Sequence, residues 1–304
     1  MPQALQAHHR LTELDLREAV LLTLGRGSSA VTPATLLHIL ERHRKLLVLR
    51  LHSPSALGEV NAAVLRSIFS LDRCHTLSLM PEANDATSWE GLPRMPALTS
   101  LEMSDVGRGA AESASRLHAV AQCTGLVHLS VSRPRSLGSE GFLRYFRTSE
   151  RSHIACTLRS LVIDQMDGLS SVAVVDVQTA LAGLHSLQRL HLRRVSTAHV
   201  LVQSLGTVKS LRELILEPLC SAASFAEPLW TSPAVLQDAL LHNPLLHLCV
   251  RLQYSHLDDD DDGFGQNGWD SWARRTAISN LADMLQQGCK PEDRVEIDLI
   301  STRR

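Results

Sequence analysis

Three kinds of residue pattern in this chain could carry chemistry. Asp258, Asp260 and Asp262, followed by Gly263, match the opening of a calcium loop, where alternate carboxylates and a glycine at position six wrap the ion. The bidentate acid due at position twelve falls on Trp269, and the segment before the run has strand character. The three aspartates are therefore a weak metal candidate, and an exposed acidic loop over residues 255–270 accounts for them. Gly25-Arg26-Gly27-Ser28-Ser29-Ala30 loosely fits a dinucleotide fingerprint. The acidic residue that should close the next strand and hold a ribose is absent, because LLVLRL ends at Leu51-His52. A glycine-permitted turn is the plainer reading. Fifteen histidines form no HExxH, no Cys/His group has zinc spacing, and no GxSxG elbow occurs. No cofactor, metal or catalytic activity is expected.

The elements that present the remaining polar side chains come from a repeat. One phrase recurs: apolar, two residues, Leu, one residue, apolar. It runs through Leu11-Leu14-Leu16, Leu46-Leu49-Leu51, Cys74-Leu77-Leu79, Leu98-Leu101-Met103 and Leu126-Leu129-Val131. It continues through Leu158-Leu161-Ile163, Leu187-Leu190-Leu192, Leu211-Leu214-Leu216 and Leu245-Leu248-Val250, with Arg294-Ile297-Leu299 as a degenerate tenth copy. Successive middle leucines are 24 to 35 residues apart. Side chains alternate faces along a strand, so the last two apolar positions of each phrase point inward together. No single repeat can bury that face, so burial must come from stacking neighbours.

Between the phrases lie helical signals. Thr32-Pro33 offers an N-cap and a proline at the first helical position, ahead of Leu36, Ile39 and Leu40. Leu117, Val120 and Ala121 form another stripe, and Ile278, Leu281, Ala282 and Leu285 give a further amphipathic face. Residues 80–97, with three prolines and a glycine, read as loop. Strand alternating with helix implies parallel pairing. The expectation is one domain over residues 1–304, with about nine or ten repeats and a capping helix plus last strand over residues 271–304.

With 44% hydrophobic residues, 20% charged and 4% aromatic, the core must be built from Leu, Val, Ile and Ala. A net charge of −2 gives no basic field for nucleic acid, and no apolar run is long enough for a membrane span. Six scattered cysteines without a CxxC pair read as reduced thiols. The first residues hold no apolar stretch of signal-peptide length, so the cytoplasm, or the nucleus, is expected by default.

These phrases resemble the leucine-rich-repeat superfamily over residues 11 to about 251. The uneven, helix-bearing repeats look most like the ribonuclease-inhibitor-like class and the repeat regions of F-box proteins. The resemblance implies an α/β leucine-rich-repeat solenoid: a curved parallel sheet on the concave side, helices and loops on the convex side, with irregular repeats. The chain departs from the family where Asn or Cys should follow each strand. Ala19, Pro54, Glu82, Val106, Pro134, Met166, Val195, Leu219 and Gln253 stand there instead.

Alternation places Glu13, Asp15, Arg17, Val48, Arg50 and His52 outward in the early repeats. The middle repeats are mostly small or polar: Thr76, Ser78, Ser100, Glu102, Ser104, His128, Ser130, Ser132 and Ser160. The late repeats are charged, with Arg189, His191 and Arg193 beside Glu213 and Glu217, then His247, Cys249 and Arg251. Mutual neutralisation across strands is the plain reading, and a charged end that docks a partner is the functional one. Arg50, Arg189, His191, Arg193, Glu213, Glu217 and Arg251 are the candidate binding residues. The function expected is a monomeric, non-enzymatic scaffold for a protein partner. By resemblance to F-box repeat proteins, it would recognise substrates in a ubiquitin-ligase assembly, although the ten residues before the repeats cannot hold an F-box. The alternative is an enzyme regulator such as a GTPase-activating solenoid, offering Arg17, Arg50 or Arg193.

Overall fold

Five short strands alternate with helices through the first part of the chain. The computed structural model describes residues 11–16, 33–51, 62–79, 86–104, 110–132, 153–164, 181–194, 205, 208–217, 243, 245–255 and 295–302. Its contacts divide into two units, residues 1–159 and 160–304. In the first unit β1 (Glu13–Asp15), β2 (Val48–Leu51), β3 (Thr76–Leu79), β4 (Ser100–Ser104) and β5 (His128–Ser132) pair in parallel and in sequence order. The connections carry α1 (Pro33–Arg42), α2 (Ala62–Phe69), a 3-10 helix (Ala86–Arg94) and α3 (Ala110–Ala121), and α4 (His153–Thr157) follows β5. Each of these helices packs against the next.

The second unit holds β6 (Ser160–Asp164), β7 (Arg189–Arg193), β8 (Glu213–Glu217), β9 (His247–Ser255) and β10 (Val295–Thr302), again parallel and in order. The fold class is an α/β leucine-rich-repeat solenoid. Residues 256–294, which include the acidic run Asp258, Asp260 and Asp262 and the expected capping helix, lie outside the described residues. So do residues 17–32, where a glycine turn was expected. Of the nine positions expected to hold a ladder of Asn or Cys, only Gln253 is described, within β9.

The repeat phrase does what its alternation dictates. The two strand positions of all nine clear copies, from Leu14 and Leu16 to Leu248 and Val250, are at most 3% exposed. Burying each such side chain contributes about 1.5–3 kcal/mol. Middle leucines sit opposite one another: Leu14 faces Leu49, then Leu77, Leu101 and Leu129, and Leu161 faces Leu190, Leu214 and Leu248. A one-residue slip would turn every apolar side chain to the wrong face, so this register is strongly specified.

Backbone bonds at the strand starts replace part of the missing side-chain ladder. The amides of Leu46, Cys74, Leu98, Leu187, Leu211 and Leu246 each donate to the carbonyl three residues earlier, making one recurring turn. The carbonyls of Thr12, Leu47, His75, Thr99 and Gln188 each accept from two successive amides of the following repeat. Asn243 adds a side-chain version. Its buried Nδ2 donates to the carbonyls of Val208 and Leu211, 3.0 and 3.2 Å away in the preceding repeat.

Three expectations about elements need correction. Residues 80–97 are not all loop, because a 3-10 helix spans Ala86–Arg94 despite Pro93. Trp89 and Leu92, three apart and therefore on one side of a 3-10 turn, are both buried. Gly91 permits the close approach: a Cβ there would stand 3.0 Å from the Phe69 side chain of α2. Leu245 does not open its phrase, being 56% exposed while Leu246 beside it is buried. Finally β10 pairs two residues away from the expected phrase. Val295 faces Leu248 and Ile297 faces Val250, which keeps the same faces because two residues restore the alternation.

Candidate functional site

In the second unit β7 and β8 bring the predicted charges together. Their register sets Arg189 opposite Glu213 and Arg193 opposite Glu217. Arg189 Nε lies 3.1 Å from Glu213 Oε2, with the two side chains 47% and 37% exposed. Glu217 is the centre of a second, tighter group. Arg193 Nε donates to its Oε2 at 2.9 Å, and Arg251 of β9 donates to Oε1 at 3.3 Å. His191 Nε2 also stands 2.9 Å from Oε1. Opposite β7 on its other side, Arg194 binds Asp164 of β6 through Nε and through a terminal nitrogen.

These positions are not the open surface that alternation alone suggests. Glu217 and Cys249 are buried, as are Asp164 and the outward Ile215. The reason is local. Ile215 is an apolar side chain in the middle of a polar face, and three longer basic side chains converge on the Glu217 carboxylate. Burial alone would raise the Glu217 pKa; His191, Arg193 and Arg251 outweigh it and hold the carboxyl below its usual value. For His191 burial wins. It lowers the imidazole pKa against the pull of Glu217, and Arg193 and Arg251 push the same way as burial. Thus the centre is an ionised carboxylate between two arginines, with a histidine that resists protonation.

Two features here have no signature in the repeat. Among the described residues Arg194 is the non-glycine residue at positive φ, 52°, a left-handed conformation costing roughly 1–2 kcal/mol. Its amide donates to the Glu217 carbonyl and its guanidinium to Asp164, which offsets that strain. The other feature is in the first unit, away from the strands. Arg116 of α3 is fully buried, its guanidinium 5.7 Å from the Trp89 ring centroid, and Trp89 packs on Phe69 at 5.8 Å. A charged residue on an apolar helix stripe reads as exposed until the facing aromatic is known.

The first unit's outward face is plainer. Arg50 lies against Glu13 and, at 3.6 Å, Asp15. Ser78 donates to Glu102 Oε2 at 2.8 Å. Arg17 and His52 lie outside the described residues. Among the described residues no group of three metal-ligating side chains occurs, and no helix is long and apolar enough to cross a membrane. Cys74, Cys123 and Cys249 are buried free thiols and Cys156 an exposed one. Burial pushes the Cys74 thiol up to about 11 and Cys123 up to about 12, so neither is a nucleophile near neutral pH.

No family model matches the chain, and no curated protein matches it. Among solved structures it is similar to one described as the crystal structure of the TLR13-ssRNA13 complex. The identity is 14% and the TM-score 0.34, over 81% of this chain and 42% of that one. The chain therefore spans less than half the length of that structure, and a likeness this distant says nothing of function.

Proposed function

We propose that the chain is a non-enzymatic scaffold that holds a protein partner on the outward face of its late strands. One observation carries the reading: the outward residues of β7 and β8 form an ordered, partly exposed charge array while their inward neighbours are consumed by the core. Pre-paired charges hold their side chains in place, and fixed charges discriminate between partners more than they add affinity. Arg189 and Glu213 are the residues to perturb, because they are the most exposed oppositely charged pair of this array. Affinity capture with mass spectrometry should lose the main partner on Arg189→Glu or Glu213→Arg and keep it on Arg212→Ala. Unchanged recovery with both charge reversals removes this face from consideration.

The finer reading is substrate recognition within a ubiquitin-ligase assembly, supported by the resemblance of the repeats to those of F-box proteins. Its test is whether ligase adaptor subunits appear in the same capture and stay when Arg189 is reversed. Regulation of a GTPase is the second reading. Arg193 favours it, being 42% exposed and engaged through Nε, so its terminal nitrogens can reach a partner. A GTPase assay with Arg193→Ala against wild type decides it.

A further inference from the structure

Acids and bases do not share the surface equally where β6, β7 and β8 end. The side chains of the two carboxylates there, Asp164 and Glu217, are only 8% and 7% exposed. The arginines that pair with them stand above, Arg193 at 42%, Arg194 at 38% and Arg251 at 31%. Formal charges almost cancel, yet water meets the cations first. In this group three guanidiniums cover two carboxylates, which leaves one net positive charge on the outside. His191 adds none near neutral pH, since burial lowers its pKa.

The left-handed turn makes this layer. In an extended strand Arg193 and Arg194 would point to opposite faces. At a φ of 52° Arg194 turns back, and its guanidinium holds Asp164, which lies opposite Arg193 in the outward row. Consecutive arginines thus serve one face, Arg194 over β6 and Arg193 over β8. A non-glycine residue held in that conformation often marks a site where strain is kept for function. Anchoring also spends few donors. Arg193 reaches Glu217 through Nε, and Arg194 reaches Asp164 through Nε and one terminal nitrogen. The other terminal N–H groups belong to side chains whose rotamers are already fixed and more than a third of whose surface is exposed.

We propose that this arginine layer binds an acidic segment of the protein partner, with Asp or Glu side chains seated on Arg193 and Arg194. The proposal rests on the reading of the late strands as a docking face and names the partner's chemistry. Planar guanidinium forks match carboxylates donor for acceptor. One surplus positive charge suits a few spaced carboxylates, whereas a nucleic-acid backbone needs many clustered cations. Asp164 and Glu217 lie two strands apart, about 10 Å, so one carboxylate cannot span both anchors and the segment needs more than one acid.

The test uses the full chain and labelled nine-residue peptides alternating Ser with Glu, Gln or Lys, read by fluorescence anisotropy at low salt. The Glu peptide should bind about tenfold or more tightly than the Gln peptide, with the Lys peptide weakest. Arg194→Gly, which suits a positive φ, and Arg193→Gln should each weaken the Glu peptide about fivefold and leave the Gln peptide unchanged. Arg193→Gln leaves Arg251 on Glu217, so it keeps the test valid if Arg194→Gly, which strands Asp164, misfolds. Arg66→Gln, exposed on α2, should change nothing. Equal affinity for the Glu and Gln peptides, no binding of either, or a preference indifferent to both arginine variants overturns the proposal. So does a short single-stranded DNA that binds more tightly than the Glu peptide through the same arginines. Loss of the captured partner on Arg189→Glu alongside equal peptide affinities sinks the acidic segment alone and leaves the docking face standing.

Discussion

The two units share one inward pattern and differ in what they turn outward. In the first, Arg50 rests on Glu13 and Asp15, and Ser78 on Glu102. In the second, one buried carboxylate gathers groups from two neighbouring strands, and a left-handed arginine clamps a third. Backbone register and core residues are equivalent in both. The scaffold thus depends on the inward positions, while the outward ones are free to acquire chemistry.

The comparison can be broken or sharpened by experiment. Leu101→Ala and Leu190→Ala, each at a wholly buried middle position, should both cost about 2–5 kcal/mol in denaturant unfolding. A loss below 1 kcal/mol in only one of them would show that the units do not share a core logic. Glu217→Gln should cost about 1–3 kcal/mol, because it removes the charge that two arginines face. The paired control, Glu102→Gln, should stay under about 1 kcal/mol, since its serine partner is neutral.

A smaller effect is expected from pH. His191 has its pKa lowered by burial, so the unfolded chain takes the proton first. Stability contributed by the neutral imidazole is present above the ordinary value of 6.5 and is lost as pH falls through the folded value. Glu217, also lowered, loses its contribution below 4.5 in the same direction. The denaturation midpoint should therefore fall between pH 7 and pH 5, and His191→Gln should flatten that fall. An unaltered pH profile in this variant would mean that His191 is not the titrating group. The smallest change is Arg50→Ala, within about 0.5 kcal/mol, because its pairs are exposed to water.

The inward half of the fold was legible because a strand has a fixed period of two and leucine marks it. That a basic row, Arg189, His191 and Arg193, lies beside the acidic Glu213 and Glu217 was legible for the same reason, while the individual pairs came from the register. What escaped depends on distances between repeats. Leu246 takes the place of Leu245 because the turn from Asn243 to Leu246 keeps its length while the stretch to Leu248 is one residue shorter. A template with fixed spacing cannot register that deletion. The burial of Glu217 follows from three neighbours converging on one carboxylate, and the burial of Arg116 from Trp89 lying across it. Neither convergence is written in local periodicity. The Asn243 bonds were not legible either, since its carbonyl partners lie more than thirty residues earlier.

The turn that recurs before six of the described strands has a consequence for how such a chain can change over generations. Its length is set by one hydrogen bond, and in four of the six cases the carbonyl beside it is already committed to two amides of the next repeat. An insertion there would shift the frame of every strand pair downstream. The spacing of successive strands, by contrast, varies from 24 to 35 residues. Gains and losses of sequence should therefore accumulate after the strands and be purged before them, so that lineages drift in loop content while keeping one invariant beat.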